Sequence, residues 1–308
     1  MSQKRSRRIK DRYFRALRFR KLQAASVLIC AGLIVALALV TLLNGLRGKN
    51  TNAKLEDIAA FRISSESIAE FEALSIKYRL DFYELLAVYC HDNLFFPDKS
   101  ISAPTNIERD YVLNYKAVVS RVYNNDTKHY EQMFRNILGD LRAFPIAEGY
   151  DGEYTFLDSW GASRDYKKGR IHQGTDILDT ENTRGRLPVV SMTDGKIENI
   201  GWLELGGFRI GVRAKSGAYY YYAHLDSFAQ GLKEGSIIRA GDLLGRMGDT
   251  GYGEEGQRGK FAVHLHVGIN PSVEFAENFW INPYPFLRVL ESSRGSKTLA
   301  TADKSMER

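Results

Sequence analysis

Val263-His264-Leu265-His266-Val267 alternates aliphatic and imidazole side chains. A strand sends residues i and i+2 to the same face, so His264 and His266 project together while Val263, Leu265 and Val267 point the other way. The surroundings read alike. Residues 196–202, 208–214, 218–225, 236–238 and 261–269 are β-branched or aromatic runs, punctuated by Asp194-Gly195, Ser216-Gly217, Gly241-Asp242 and Thr250-Gly251. Short strands with such turn signals predict an antiparallel sheet or sandwich, with a hairpin at Lys215-Ser216-Gly217-Ala218.

Outward from this half, the character of the chain changes. Of 27 glycines only 4 precede residue 149, and this step marks a boundary between a helical region, 56–148, and a mainly β region, 149–290. In the helical region Asp81-x-x-Glu84 is a capping box for a helix over 82–95. Thr105-x-x-Glu108 opens a second, to about Tyr123, and Asp126 caps a third over 127–144. Residues 291–308 are polar, lack aromatics and read as a disordered tail.

The formal charge of +6 is unevenly placed: residues 1–23 carry ten Lys/Arg against Asp11 alone. Everything beyond them is slightly acidic, which argues against a nucleic-acid partner. Residues 24–43 are apolar except for Ser26 and Thr41, and about twenty helical residues span a bilayer core. The expected topology is a cytoplasmic basic tail, one uncleaved transmembrane helix, a polar tether at 44–55 and an extracytoplasmic remainder. A cleaved signal peptide is the rival, and the length of the run and its lack of a small-x-small exit weigh against it. Cys30 and Cys90 fall on opposite sides of that division, so no internal disulfide is expected.

Four of the six histidines, at 172, 224, 264 and 266, lie in the glycine-rich half. Zinc takes imidazole and carboxylate ligands, and a catalytic site keeps a position open for water. In chain order, His172-Gln173-Gly174-Thr175-Asp176, Tyr222-Ala223-His224-Leu225, the turn-rich phrase from Gly235 to Gly251 and His264-Leu265-His266 resemble the M23 (lysostaphin/LytM-type) zinc endopeptidases of bacterial cell walls. Asp158-Ser159-Trp160-Gly161 sits where that family usually has Ser-x-Phe-Gly. The resemblance spans roughly 154–285 and implies one Zn2+ held by His172, Asp176 and His266. It further implies that His264 is the general base and that His224 is its partner, holding water and the developing oxyanion. The implied substrate is the peptide part of peptidoglycan; together with the apolar run at 24–43, this makes the bacterial cell membrane the expected location. Gly174 is expected to supply a free φ that lets His172 and Asp176 converge.

Two insertions depart from the family pattern: residues 181–187, and 251–262, which either rim the groove or form a loose loop. Tyr166 is either an oxyanion donor or a surface tyrosine. The run Tyr219–Tyr222 is either an alternating strand face or a stacking surface. His91 and His129 are assigned no chemistry. Residues 82–92 resemble one helix of lysozyme-like transglycosylases, with Asp92 near their acid. The rivals to a peptidase are therefore a LytM-like scaffold that binds a wall or morphogenesis partner, and a transglycosylase; the helical region is also a candidate surface for a protein partner.

Overall fold

Nine strands form one sheet in the computed structural model, which describes residues 55–93, 106–122, 125–164 and 169–294. The basic tail, the apolar span and most of the tether lie outside the described residues. Among the described residues no helix is long and apolar enough to cross a membrane.

The strands are β1 (Tyr154–Phe156), β2 (Ser163–Arg164), β3 (Arg170–Ile171), β4 (Thr175–Asp179), β5 (Pro188–Val190), β6 (Gly195–Leu203), β7 (Gly207–Ala214), β8 (Tyr219–Phe228), β9 (Ile237–Ile238), β10 (Leu243–Met247) and β11 (His264–Asn270). The main path runs β1-β4-β11-β8-β7-β6-β9, with β10 bridging β5 and β8; β2 and β3 form a separate ribbon. Every pairing is antiparallel, so the expected fold class holds for this half. The hairpin forms at the expected place, with Gly217 at φ +99, a value that favours glycine. Strands β1, β2, β3, β4, β5 and β10 fall outside the expected runs; they are two to five residues long, and short strands carry little period-2 signal.

Alternation decides what the sheet buries. Tyr220 and Tyr222 on β8, Ile210 and Val212 on β7, and Leu265, Val267 and Ile269 on β11 are all fully buried. Their neighbours in sequence face the opposite side, where the histidines stand. Tyr220 Oη donates to the Ile137 carbonyl at 3.1 Å, and the Tyr222 hydroxyl accepts from Met192 N at 2.8 Å. Both buried hydroxyls are thus satisfied, as burial requires.

The helices are α1 (Ser65–Tyr78), α2 (Phe82–Asn93), a π-helical turn (Glu108–Val112), α3 (Tyr115–Val122), α4 (Asn125–Asp140) and α5 (Tyr284–Ser292). Asp81 Oδ1 accepts from Tyr83 N and Glu84 N, capping α2. The helix expected from Thr105 is capped by Asn106, whose Oδ1 accepts from Arg109 N, and is broken at 113–114, where Asn114 Nδ2 donates to the Arg109 carbonyl. Asn side chains offer the backbone such non-helical partners. α4 stops at Asp140, short of the expected 144, because Leu141 bridges to Thr193 and Arg142 N donates to the Met192 carbonyl.

Helical and β parts share one core across residues 145–149. Phe61 packs on Phe134 of α4 (ring centroids 5.2 Å apart) and stacks on Phe286 of α5 (4.8 Å). The tail expected to be disordered from residue 291 is ordered at its start. Arg294 donates to Tyr154 Oη and to the carbonyls of Ile146 and Ala147, with its guanidinium 5.2 Å from the Phe144 ring centroid. Residues 295–308 lie outside the described residues.

Candidate active site

Antiparallel register sets the first three functional side chains. His266 pairs with Asp176 of β4 on one side and with Ala223 of β8 on the other, and His264 pairs with Leu178. Directly paired residues share a face, so Asp176, His264 and His266 stand together on the outer face. His172 enters from the loop between β3 and β4. Its Nδ1 lies 3.0 Å from the Ser159 carbonyl, its backbone N donates to the Ala162 carbonyl, and its own carbonyl accepts from Gly161 N. Asp158 fixes that turn by accepting from Trp160 N and from Asn282 Nδ2.

His172 Nε2 lies 2.9 Å from His266 Nδ1, and Asp176 Oδ1 lies 3.0 Å from each. These residues fit a zinc ion. A carbonyl only accepts, so His172 carries its proton on Nδ1 and turns a bare Nε2 toward the other two. Lone pairs at that spacing repel unless a proton or a cation lies among them, and two imidazoles with a carboxylate are a zinc donor set. Burial pushes the Asp176 carboxyl pKa up. A proton held between the carboxylate and the His172 or His266 ring, where a cation would otherwise lie, outweighs burial and holds the group well below the usual carboxylate range. Arg164 Nη2 donates to the second oxygen, Asp176 Oδ2, at 2.5 Å.

Gly174 matters for a reason other than the expected one. Its φ is not in the left-handed region, but a Cβ there would lie 2.4 Å from His266 Cε1 and 2.6 Å from the Val267 carbonyl oxygen. The need is for space, not for φ.

His224 reaches the site through a break in alternation. By period two it would follow Tyr220 and Tyr222 into the core, yet it lines the outer cavity beside Tyr221 and Ala223. The β8 ladders slip at this point, between Phe208 and Ile210 on β7 and between Arg246 and Met247 on β10. His224 adopts φ +63. A bulge re-aims a side chain in this way, and His tolerates the left-handed region better than most residues. Thr250 secures the bulge. Its Oγ1 donates to the Leu225 carbonyl and accepts from Phe208 N, and its carbonyl lies 2.7 Å from His224 Nδ1.

His264 Nδ1 likewise lies 2.7 Å from the Ala262 carbonyl, leaving Nε2 3.7 Å from Asp176 Oδ1. Both flanking imidazoles therefore carry Nδ1–H and present an unprotonated Nε2. Burial lowers the pKa of each, that of His224 the further, so both are neutral near pH 7. The two rings lie 4.7 Å apart. They share a cavity of about 140 Å3 with His172, Asp176, His266, Arg164, Arg170, Tyr221 and Tyr252.

The two insertions brace each other at the rim. Arg184 donates through Nε and Nη2 to the two oxygens of buried Asp249, at 2.7 and 2.8 Å, and Asp249 Oδ2 also accepts from Gly259 N. Asn182 Oδ1 accepts from Val263 N, one residue before His264. Within 251–262, Tyr252 and Phe261 stand edge-on to the His224 ring. Residues 251–262 thus rim the groove. Of the tyrosine run, Tyr220 and Tyr222 are core while Tyr221 lines the cavity; Tyr166 lies outside the described residues. His91 and His129 lie away from the cavity, against Tyr130 and Phe275 respectively. Arg164, Arg170 and Thr250 went unassigned in the sequence; only Thr250, within the turn-rich phrase, had a signal there.

Comparison with known proteins agrees with this geometry. The profile of peptidase family M23 matches residues 170–277, the segment that holds all five residues. The L-Ala–D-Glu endopeptidase of Bacillus subtilis (strain 168) is 41% identical over 152 residues, 48% of this chain and 44% of that protein. The glycyl-glycine endopeptidase ALE-1 of Staphylococcus capitis is 31% identical over 139 residues, 44% of this chain and 34% of its own. The matches thus span less than half the length of these relatives. A solved structure from Ruminococcus gnavus, assigned as the glycyl-glycine endopeptidase LytM, is 37% identical with a TM-score of 0.58, over 77% of this chain and 90% of that one. A relative of this identity, matched over nearly its whole length, places the chain in peptidase family M23.

Proposed function

We propose that this protein is a zinc metalloendopeptidase that hydrolyses peptide bonds in peptidoglycan, and that the apolar run at 24–43 anchors it in the bacterial membrane with the catalytic part outside. The observation that carries the reading is the triangle of His172 Nε2, Asp176 Oδ1 and His266 Nδ1 at 2.9–3.0 Å, flanked by two neutral imidazoles. Relatives named for cutting L-Ala–D-Glu and glycyl-glycine bonds support the substrate class. The more similar of them makes the L-Ala–D-Glu bond the first to test.

His172, Asp176 and His266 would hold the ion. When bound, zinc supplies Lewis-acid polarisation of the scissile carbonyl and lowers the pKa of water toward about 7. The protein's own groups manage the protons. His264 Nε2, unprotonated and facing the cavity, takes a proton from the attacking water and returns it to the departing amine. His224 Nε2 accepts the water's other hydrogen and so orients its lone pair. In this tautomer His224 serves the water first, and can donate to a developing oxyanion only once it is protonated.

Purified peptidoglycan incubated with the full chain should release fragments with new amino termini at one bond type, identified by mass spectrometry. His264→Ala should lower that rate by about 10²–10⁴-fold, the usual worth of general acid–base catalysis. Undigested wall, or an unimpaired variant, would contradict the assignment.

A further inference from the structure

The cavity holds more positive charge than an ion site needs. Among the described residues that line it, Asp176 is the only carboxylate, facing Arg164, Arg170 and four histidines. A bound divalent cation adds to the imbalance.

The two arginines are placed oddly. Arg164 on β2 lies directly across from Arg170 on β3, in a ribbon with no other strand. Like charges opposite one another weaken a strand pair. Arg164 is engaged, with Nη2 on Asp176 Oδ2. Arg170 has no such partner among the described residues, and its Nη1 is buried without a hydrogen bond. Buried polar groups are nearly always paired, and an orphaned guanidinium N–H beside a reaction centre is an acceptor site awaiting its acceptor. A guanidinium fork matches a carboxylate, which it can bind through two parallel hydrogen bonds.

We propose that Arg170 is a specificity-determining residue that receives a free carboxylate of the substrate, carried on the residue beside the scissile bond. The inference rests on the peptidase reading above. Arg164 remains with Asp176 and supplies background charge, while Arg170 makes the direct contact. Burial in the cavity makes the pairing strong, and a carboxamide, which presents N–H groups to the fork, is disfavoured.

The test uses two peptides, identical except that the residue beside the scissile bond bears a free carboxylate in one and a carboxamide in the other. Cleavage by the full-length protein is followed by mass spectrometry. The wild-type chain should prefer the carboxylate peptide by about 10- to 100-fold in kcat/KM, mostly through KM, as expected for a hydrogen bond to a charged group. Arg170→Gln should bring that ratio to within about threefold by weakening cleavage of the carboxylate peptide, and Arg170→Lys should restore part of it. Equal wild-type cleavage of the two peptides, or an undiminished preference in Arg170→Gln, would overturn the proposal and leave the peptidase reading intact. Loss of both cleavages in Arg170→Gln, with a lowered melting temperature, would assign Arg170 a structural role and also overturn it. Failure of the wild-type chain to cut either peptide would overturn both.

Discussion

Replacing Asp176 with Ala should lower kcat/KM by more than about 10³-fold, beyond the 10- to 100-fold typical of a residue that only orients a metal ligand. Asp176 Oδ1 lies within 3.0 Å of both His172 Nε2 and His266 Nδ1, so it is the point through which the cluster is joined. Burial works against its charge, and the imidazole contacts restore it. Without it, four imidazoles, Arg164 and Arg170 share a cavity with no anion among its described lining residues, an arrangement that repels a cation. Asp176→Asn should fall nearly as far, because it keeps the shape and loses the charge. Rates on purified peptidoglycan check both variants; activity within tenfold of wild type in Asp176→Ala would remove the cluster from the mechanism.

Gly174→Ala is the second large effect. The added methyl would lie 2.4 Å from His266 Cε1, 2.6 Å from His266 Nε2 and 2.6 Å from the Val267 carbonyl oxygen. One of these is backbone inside the central ladder, so the ring must give way. The expected cost is about 1–3 kcal/mol, as for other overpacked sites, with at least a 100-fold loss of activity as His266 swings off Asp176. Repeating Gly174→Ala in a His266→Ala background separates the two contacts. The stability cost should shrink by the part due to the ring, since contacting residues are not additive. Thermal melts read the stability and peptidoglycan digestion reads the activity; a Gly174→Ala protein matching wild type in both would refute the close approach.

The alternation at 263–267 carried most of what was legible. It fixes which face of β11 is buried, and the same period places Tyr220 and Tyr222 in the core. His224 shows where period two fails. Strict alternation buries it, and only the slip in the β8 ladders, held by Thr250, turns the ring outward. The family resemblance identified that residue; spacing could not. Gly174 was legible as a required glycine but not for the right cause, because the atom it must avoid, His266 Cε1, is 92 residues away in sequence and adjacent only after folding. Arg164 and Arg170 carry no pattern, since their pairing exists only in a two-residue ribbon. Helix ends misread for a related reason: α4 stops at Asp140 because Leu141 finds Thr193, a tertiary partner that overrides local propensity.

The central claim is that two imidazoles and one carboxylate, distant in sequence, hold a single divalent ion beside two neutral bases. Anomalous X-ray scattering from crystals of the protein, measured at the zinc absorption edge, tests it most directly. A single strong peak among His172 Nε2, Asp176 Oδ1 and His266 Nδ1, with His224 and His264 outside bonding distance, is the predicted result. A peak held by His224 or His264, or zinc-grown crystals with no peak among the three donors, would contradict it.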